Sequence, residues 1–416
     1  MLAWPYLITK GWLPYRDIAI AHTPLLTLTL SLFYKIFGTG VWQIKVFAWF
    51  AILLSDLAVF FVIKRLKNTK TALIGLCVYI LLQVFYDGNS LWFDYLVAPL
   101  AFLSFYFIGK ERFIVAGIFW ALAFFTKQTA FWFLPGVAIL SLGKSFWHKV
   151  KEFAVGALII TIVIFTSFGL LGILPKFLYW AFGFGIGILP RASGQLAFPS
   201  VKVVLVSFFP FSVLLLSALR DWKKYSPLAI WAILGIMGVY PRWELFHFQP
   251  GLPYLALTFA LLTVGVKKSG KIIIGLLTLC WVGLFVLVGR SLVRNWHQPD
   301  RFLEPAVVKA AQAIKAETKP NDKIFVLNSW DSLYALADRL PAVKPLVPEL
   351  SWYLNLPQTE ESLVSDLVAT PPKLVVMQPY TESSLSAFKP KKLNDYILKY
   401  YEPAEVIDNT FYILKK

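Results

Sequence analysis

The sequence predicts a polytopic α-helical membrane protein of about ten spans, followed by a small α/β domain on the outer side. Three observations predict it. Hydrophobic residues make up 58% of the 416-residue chain and charged residues only 15%, against roughly 25% charged in a soluble domain. Long apolar runs recur, as at 71–87, 201–219, 248–266 and 272–289, and none alternates like a barrel strand. The charge is also uneven: residues 1–297 hold 26 Lys and Arg against 8 Asp and Glu, whereas residues 298–416 hold 14 against 15. The basic excess therefore belongs to the membrane part, where it marks cytoplasmic loops and not a nucleic-acid surface.

Residues 1–39 read as an outer-face loop and a surface helix. The stretch GWLPYRDIAIAHTPL (11–25) is polar and proline-marked. Thr23–Phe37 is apolar but short, carries Lys35, and runs into Gly38-Thr39-Gly40, so it suits an amphipathic helix lying on the membrane. The membrane domain, 40–290, contains ten apolar segments: 40–66, 71–87, 94–109, 112–126, 131–147, 152–175, 201–220, 226–241, 248–266 and 271–289. Alternate joints, at 64–70, 109–112, 143–152, 220–225 and 267–271, hold 15 Lys and Arg, while the four between them, with 176–202 counted in full, hold five. The positive-inside rule puts the basic joints in the cytoplasm. Residues 1–22, the loops at 88–93, 127–130, 176–200 and 242–247, and residues 290–416 then face outward. An outward N-terminus needs a translocation signal, and no leader follows Met1. The expectation is a first span encoded upstream of Met1.

Residues 298–416 form the outer α/β domain. KIFVLN (323–328) and KLVVMQ (373–378) read as buried strands, Leu303–Thr318, Thr359–Ala369 and Leu393–Tyr401 as helices, and EVID with TFYILKK as a closing hairpin. No dinucleotide, P-loop or nucleophile-elbow motif is present. Cys77 and Cys280 lie in apolar runs and read as packing residues.

Eight acids fall in the membrane part. Glu111, Glu152 and Asp221 lie in basic joints, where pairing accounts for them. Asp56 lies within a span, a functional position by default, although pairing with Lys64 or a neighbouring helix also satisfies it. The remaining four, Asp17, Asp87, Asp94 and Glu244, all lie outside. Asp87-Gly88 is a turn signal. Asp94 serves equally as a helix N-cap or as a site acid. The outer cationic and histidine residues are Arg16, His22, Lys127, Arg191, Arg242 and His247. YPRWELFHFQPGLP (240–253) is the densest group. There Arg242, Glu244 and His247 among aromatics suit either a lipid phosphate or an ordinary interfacial belt. Lys127 suits a helix C-terminus.

Four stretches, GWLPYRD…HTPLL…FG (11–38), FDYLVAPLAFLSFYF (93–107), GIFWALAFFTKQTAFWFLP (117–135) and YPRWELFHFQPGLPYLAL (240–257), carry a resemblance. In order and sidedness they resemble the GT-C superfamily of membrane glycosyltransferases. The nearest branch holds the dolichyl-phosphate-mannose-protein mannosyltransferase-like, lipid A aminoarabinose transferase-like and rhizobial lipopolysaccharide glycosyltransferase-like proteins. The resemblance implies transfer of a sugar from a polyprenyl-phosphate carrier to a lipid, glycan or protein hydroxyl at the outer face of the plasma (inner) membrane. It implies that the principal catalytic acid lies before Met1. Asp94 matches the family's second acidic position, and Asp17 is the acid of the remaining N-terminal loop. Arg191, Arg242 and His247, with Glu244 beside them, are then expected at the lipid phosphate, and Arg16, Asp17 and His22 at the loop floor. So few acids do not imply a tight divalent site, although a divalent metal remains open. The rival reading is a non-catalytic pseudoenzyme, or a flippase or ligase of polyprenyl-linked glycans. Against a flippase, the polar residues gather on one membrane face instead of lining a route across.

Overall fold

The computed structural model describes residues 1–87, 91–192, 196, 198–240, 242–265, 271–299, 303–348, 350–380 and 389–416. The chain opens with α1 (Ala3–Thr9) and the loop that contains Asp17. Helix α2 (Leu25–Phe37) follows, its start set by Pro24. It buries Leu26, Leu30 and Tyr34 and exposes Leu32, Ile36 and Phe37, as a helix lying on a membrane would.

Helices then occupy every one of the ten apolar segments. They are α3 (Val41–Leu66), α4 (Thr69–Phe85), α5 (Phe93–Ile108), α6 (Phe113–Thr126) and α7 (Leu134–Ser141), the last entered through a 3₁₀ turn at Gln128–Phe133. Next come α8 (Phe146–Leu170), α9 (Leu174–Leu178) with a π-helical stretch at Tyr179–Ile188, and the pair α10 (Val201–Phe208) and α11 (Ser212–Arg220). The last are α12 (Trp222–Ile236), α13 (Leu252–Val264) behind a 3₁₀ turn at Leu245–Gly251, and α14 (Lys271–Asn295). Among the described residues, three helices are long and apolar enough to cross a membrane: Val41–Leu66, Phe146–Leu170 and Leu245–Val264. The pair α10 and α11, bent by 50° around Pro210, makes a fourth if it is one span. Ten spans, the number expected, are thus not established by helix length, since several of the helices are short. The 3₁₀ turn at Gln128–Phe133 shortens α7, and α4, α5 and α6 run 17, 16 and 14 residues.

Aromatic rings fill the interior of the helical body. Trp231 stacks on Phe133 at 5.2 Å, and Tyr254 meets Phe102 edge-on at 5.3 Å. Helices α6 and α8 cross at glycines: Gly117 lies against the Phe153 carbonyl and Gly156 against that of Ile114. Outward faces are apolar, with Trp49, Phe50 and Leu53 on α3 and Leu158, Ile162 and Val163 on α8. Cys77 lies on such an outward face and not in packing, since hydrocarbon accepts a thiol as readily as a core does. The Cys280 side chain and residues 267–270 of the last basic joint lie outside the described residues. Asp56 takes the neighbouring-helix alternative, its carboxylate accepting from Gln83 Nε2 at 3.0 Å.

The C-terminal elements are α15 (Pro305–Glu317), β1 (Lys323–Leu327), α16 (Ser332–Ala337), β2 (Leu340–Pro341), α17 (Ser351–Leu354), α18 (Thr359–Ala369), β3 (Leu374–Met377), α19 (Lys391–Tyr400), β4 (Glu402–Ile407) and β5 (Phe411–Lys415). The sheet order is β2-β1-β3-β5-β4, with β1 parallel to β2 and β3, and the β4–β5 hairpin antiparallel. Side chains alternate across it. Ile324 and Val326 face α15, α16 and the helical body, while Phe325 and Leu327 face α18 and α19. The expected strands, helices and hairpin are all present; β2, only two residues long, was not foreseen.

Candidate active site

Asp94 stands in the first turn of α5 and is fully buried. It caps nothing; its carboxylate turns inward instead. Lys127 Nζ lies 2.6 Å from Asp94 Oδ2, and His247 Nδ1 lies 3.1 Å from the same oxygen. Lys127 reaches it because the backbone becomes extended at the end of α6, which swings the side chain off the helix. Its ammonium therefore does not cap α6, the role its position suggested. His247 comes from the 3₁₀ turn before α13. Its Nδ1 also lies 3.1 Å from Lys127 Nζ. One nitrogen cannot both donate to Asp94 and accept from Lys127, so the three groups share protons in two arrangements.

His22 joins this group from the N-terminal loop. Its ring packs on Phe93 at 4.3 Å and meets Trp92 edge-on at 6.0 Å. Burial, then the charge of Lys127, pushes the imidazole pKa down to about 3. The unfolded chain protonates His22 near pH 6.5, so stability should fall as pH drops from there toward 3. Replacing His22 with Asn should flatten that acid limb in melting temperature against pH.

Asp17 and Arg16 belong to a separate group. Asp17 accepts from the Leu13 N–H at 2.8 Å, pairs with Arg16 at 2.8 Å, and meets Lys344 Nζ of the C-terminal unit at 3.2 Å. Burial alone would raise its pKa, but Arg16, the Leu13 amide and Lys344 together hold it below the usual carboxylate value. Two backbone bonds of 2.9 Å, Ala19 N–H to Leu346 and Leu346 N–H to Asp17, tie the same segments. Its stabilising contribution is present above the unfolded carboxylate pKa near 4 and is lost as pH falls below it. Lys344 is half exposed, so Lys344→Ala should cost at most about 1 kcal/mol. Asp17→Ala should cost more, because it also strands the Leu13 amide; thermal melts of the two variants check the order.

Arg242 pairs with Glu244 at 3.1 Å, and its guanidinium lies 5.7 Å from the Trp352 ring. Arg191 ends, exposed, the 3₁₀ turn Leu189–Arg191 that follows the π-helical stretch, and among the described residues no ion pair or hydrogen bond joins it to the other candidates. The structure therefore brings Asp94, His247 and His22 together, keeps Asp17 with Arg16, keeps Arg242 with Glu244, and leaves Arg191 apart. Sequence reasoning underrated Lys127 and missed Lys344 and Trp352. A lone lysine between two apolar runs, on the face poorest in positive charge, was the available signal for Lys127. Among the described residues no group of three His, Cys, Asp or Glu side chains is arranged to hold a metal ion.

The family model described as dolichyl-phosphate-mannose-protein mannosyltransferase matches residues 21–169. No curated protein matches the chain. Among solved structures, ArnT from Cupriavidus metallidurans in the apo state aligns with TM-score 0.66 at 10% identity, covering 99% of this chain and 91% of that one. The same protein bound to undecaprenyl phosphate aligns at 0.65 and 13% identity, covering 99% and 92%. The oligosaccharyltransferase AglB from Archaeoglobus fulgidus, in complex with an inhibitory peptide and a dolichol-phosphate, aligns at 0.53 and 13% identity, covering 100% and 69%. The chain shares the fold of ArnT along nearly its whole length.

Proposed function

We propose that this chain transfers a sugar from a polyprenyl-phosphate carrier to a hydroxyl of a lipid, glycan or protein acceptor at the outer face of the plasma (inner) membrane. In this reading all ten apolar segments cross or enter the bilayer, and residues 298–416 lie outside. The observation that carries it is the buried Asp94–Lys127–His247 group, with His22 beside it. A lysine and a histidine converge on one carboxylate, with the His22 ring packed on Phe93 and Trp92 beside it. Displacing phosphate from the sugar C1 leaves an anion, and Lys127 and His247 are the groups placed to receive it. Asp94 keeps Lys127 charged and aimed while the phosphate is absent. Arg242 and Glu244, stacked toward Trp352, hold the rim, and Asp17 anchors the loop to the C-terminal unit. The carriers in the matched structures, undecaprenyl phosphate and dolichol-phosphate, support a lipid-phosphate donor.

The test uses detergent-purified protein, undecaprenyl-phosphate carriers of several radiolabelled sugars, and host membranes as acceptor source. Label should move to a new product. Lys127→Met should weaken undecaprenyl phosphate binding by roughly 10- to 150-fold, the loss of one charge-assisted hydrogen bond of about 1.5–3 kcal/mol. Label crossing a vesicle bilayer with no product formed would instead establish a flippase.

A further inference from the structure

From Trp281 to its end, α14 turns one face to the helical body. Leu284 and Val288 are buried there, and Trp281 packs against the core while stacking on Phe285 at 5.9 Å. The opposite face is open. Val286, Arg290, Val293 and Arg294 are exposed on it and line an open cavity of about 900 Å³. A Cβ on Gly289 would meet nothing within 4 Å, so this glycine leaves a notch in the same face. Among the described residues neither guanidinium has an ion pair or a hydrogen bond, while the neighbouring Asn295 amide donates to Ser291 at 3.2 Å.

The rise of the helix sets the depth of these groups. Arg290 follows Lys271, the first residue of α14, by roughly 28 Å of helix, close to the thickness of a hydrocarbon core. Arg294 stands one turn further out. Trp296, 76% exposed, comes next, at the level where tryptophan gathers in a membrane interface. The two arginines thus stand in the plane of the lipid phosphates. Topology does not call for them, because the positive-inside rule disfavours arginine on the outer side. Neither offsets an acid among the described residues. A guanidinium matches phosphate oxygens two bonds at a time. Below the charges the cavity wall is Phe285 and Val286. A phosphate above and hydrocarbon below is the profile of a lipid.

We propose that this end of α14 binds one anionic phospholipid, its phosphate held by Arg290 and Arg294 and an acyl chain laid along Gly289. The inference rests on the reading above that α14 crosses the bilayer and ends outside. The site is separate from the Asp94 group, whose side chains come from α5, the end of α6 and the turn before α13. The headgroup is anionic because two adjacent guanidinium groups at a lipid boundary repel each other until a negative charge joins them. The bound lipid holds the depth of α14, which packs on α4 and α11.

Native mass spectrometry of the detergent-purified protein tests this with added phosphatidylglycerol, phosphatidylcholine or undecaprenyl phosphate. The wild type should retain one phosphatidylglycerol in preference to phosphatidylcholine, which has the same phosphate but no net charge. Arg290→Gln with Arg294→Gln should weaken phosphatidylglycerol binding by roughly 30-fold, the worth of two basic residues at an anionic surface. Gly289→Leu keeps both charges but fills the notch, and should weaken it by roughly fourfold, about one methylene of lost burial. Undecaprenyl phosphate binding should be unchanged in both proteins. Equal retention of the two phospholipids overturns the proposal, as does a wild-type response from either altered protein. So does a parallel loss of undecaprenyl phosphate, which would give the site to the sugar carrier. A dimer split by the double substitution also overturns it, giving the face to a second copy. The readout is lipid binding, so each of these outcomes leaves the transferase reading to its own assay.

Discussion

Asp94→Ala is expected to abolish transfer and to lower stability by about 3–5 kcal/mol, the largest effect of any single change in the site. The reason is what remains. Lys127 is only 5% exposed, and its ammonium would lose its nearest counter-charge while still enclosed by Phe93 and its neighbours. Asp94→Asn keeps the shape and one acceptor oxygen, so it should cost less stability but nearly as much activity. The double change Asp94→Asn with Lys127→Met removes both charges and should recover much of the lost stability, because replacing a buried pair is far cheaper than breaking one. Transfer should stay absent in the double variant. Chemical or thermal unfolding in detergent, run beside the transfer assay, separates the two effects. Recovery of activity with recovery of stability would show that the pair only supports the fold.

The second large effect is expected at the crossing of α6 and α8. At Gly117 and Gly156 the atoms in the way of a side chain are backbone, the carbonyls of Phe153 and Ile114. A side-chain neighbour could rotate aside; a carbonyl in a helix cannot without breaking its ladder. Alanine at either position must therefore push the helices apart, and overpacking of this kind costs about 1–3 kcal/mol. Leucine should prevent the native crossing altogether. The contact is reciprocal, so one separation relieves both clashes. The double alanine variant should cost clearly less than the sum of the singles, which melting curves of the three proteins will show. Strictly additive losses would mean that the two glycines act independently.

Much of the architecture was legible in the sequence, for reasons that also explain what was not. Every apolar run became helical because a run of Leu, Phe, Ile and Val between basic joints can hide its backbone from lipid in no other way. The strands at 323–327 and 374–377 were visible as short β-branched runs between helical patterns. The number of full-length spans was not, since length is trimmed by local events such as the 3₁₀ turn at 128–133 ahead of α7 and the bend between α10 and α11. Asp94, His247 and His22 were each singled out, but their meeting was not. Asp94 lies 33 positions from Lys127 and His247 lies 120 from it, separations that no periodicity reports. Lys127 was given a local helix-end role because its local context is a helix end. Asp17 looked like a free acid because its partner Lys344 lies in the far part of the chain.

The docking of the N-terminal loop on residues 344–346 has a consequence for traffic through the site. Tyr6 and Lys10 add bonds to Asp338 at 3.1 and 2.8 Å, so the segment bearing His22 and the outer unit are clamped at several points. Floor and roof thus belong to one rigid piece, and the outer unit cannot tilt away like a lid without dragging His22 with it. On the proposed reading, a long-tailed carrier would have to arrive and depart sideways, sliding between helices from the hydrocarbon. Turnover would then depend on bilayer fluidity and tail length more than on any hinge between the two halves.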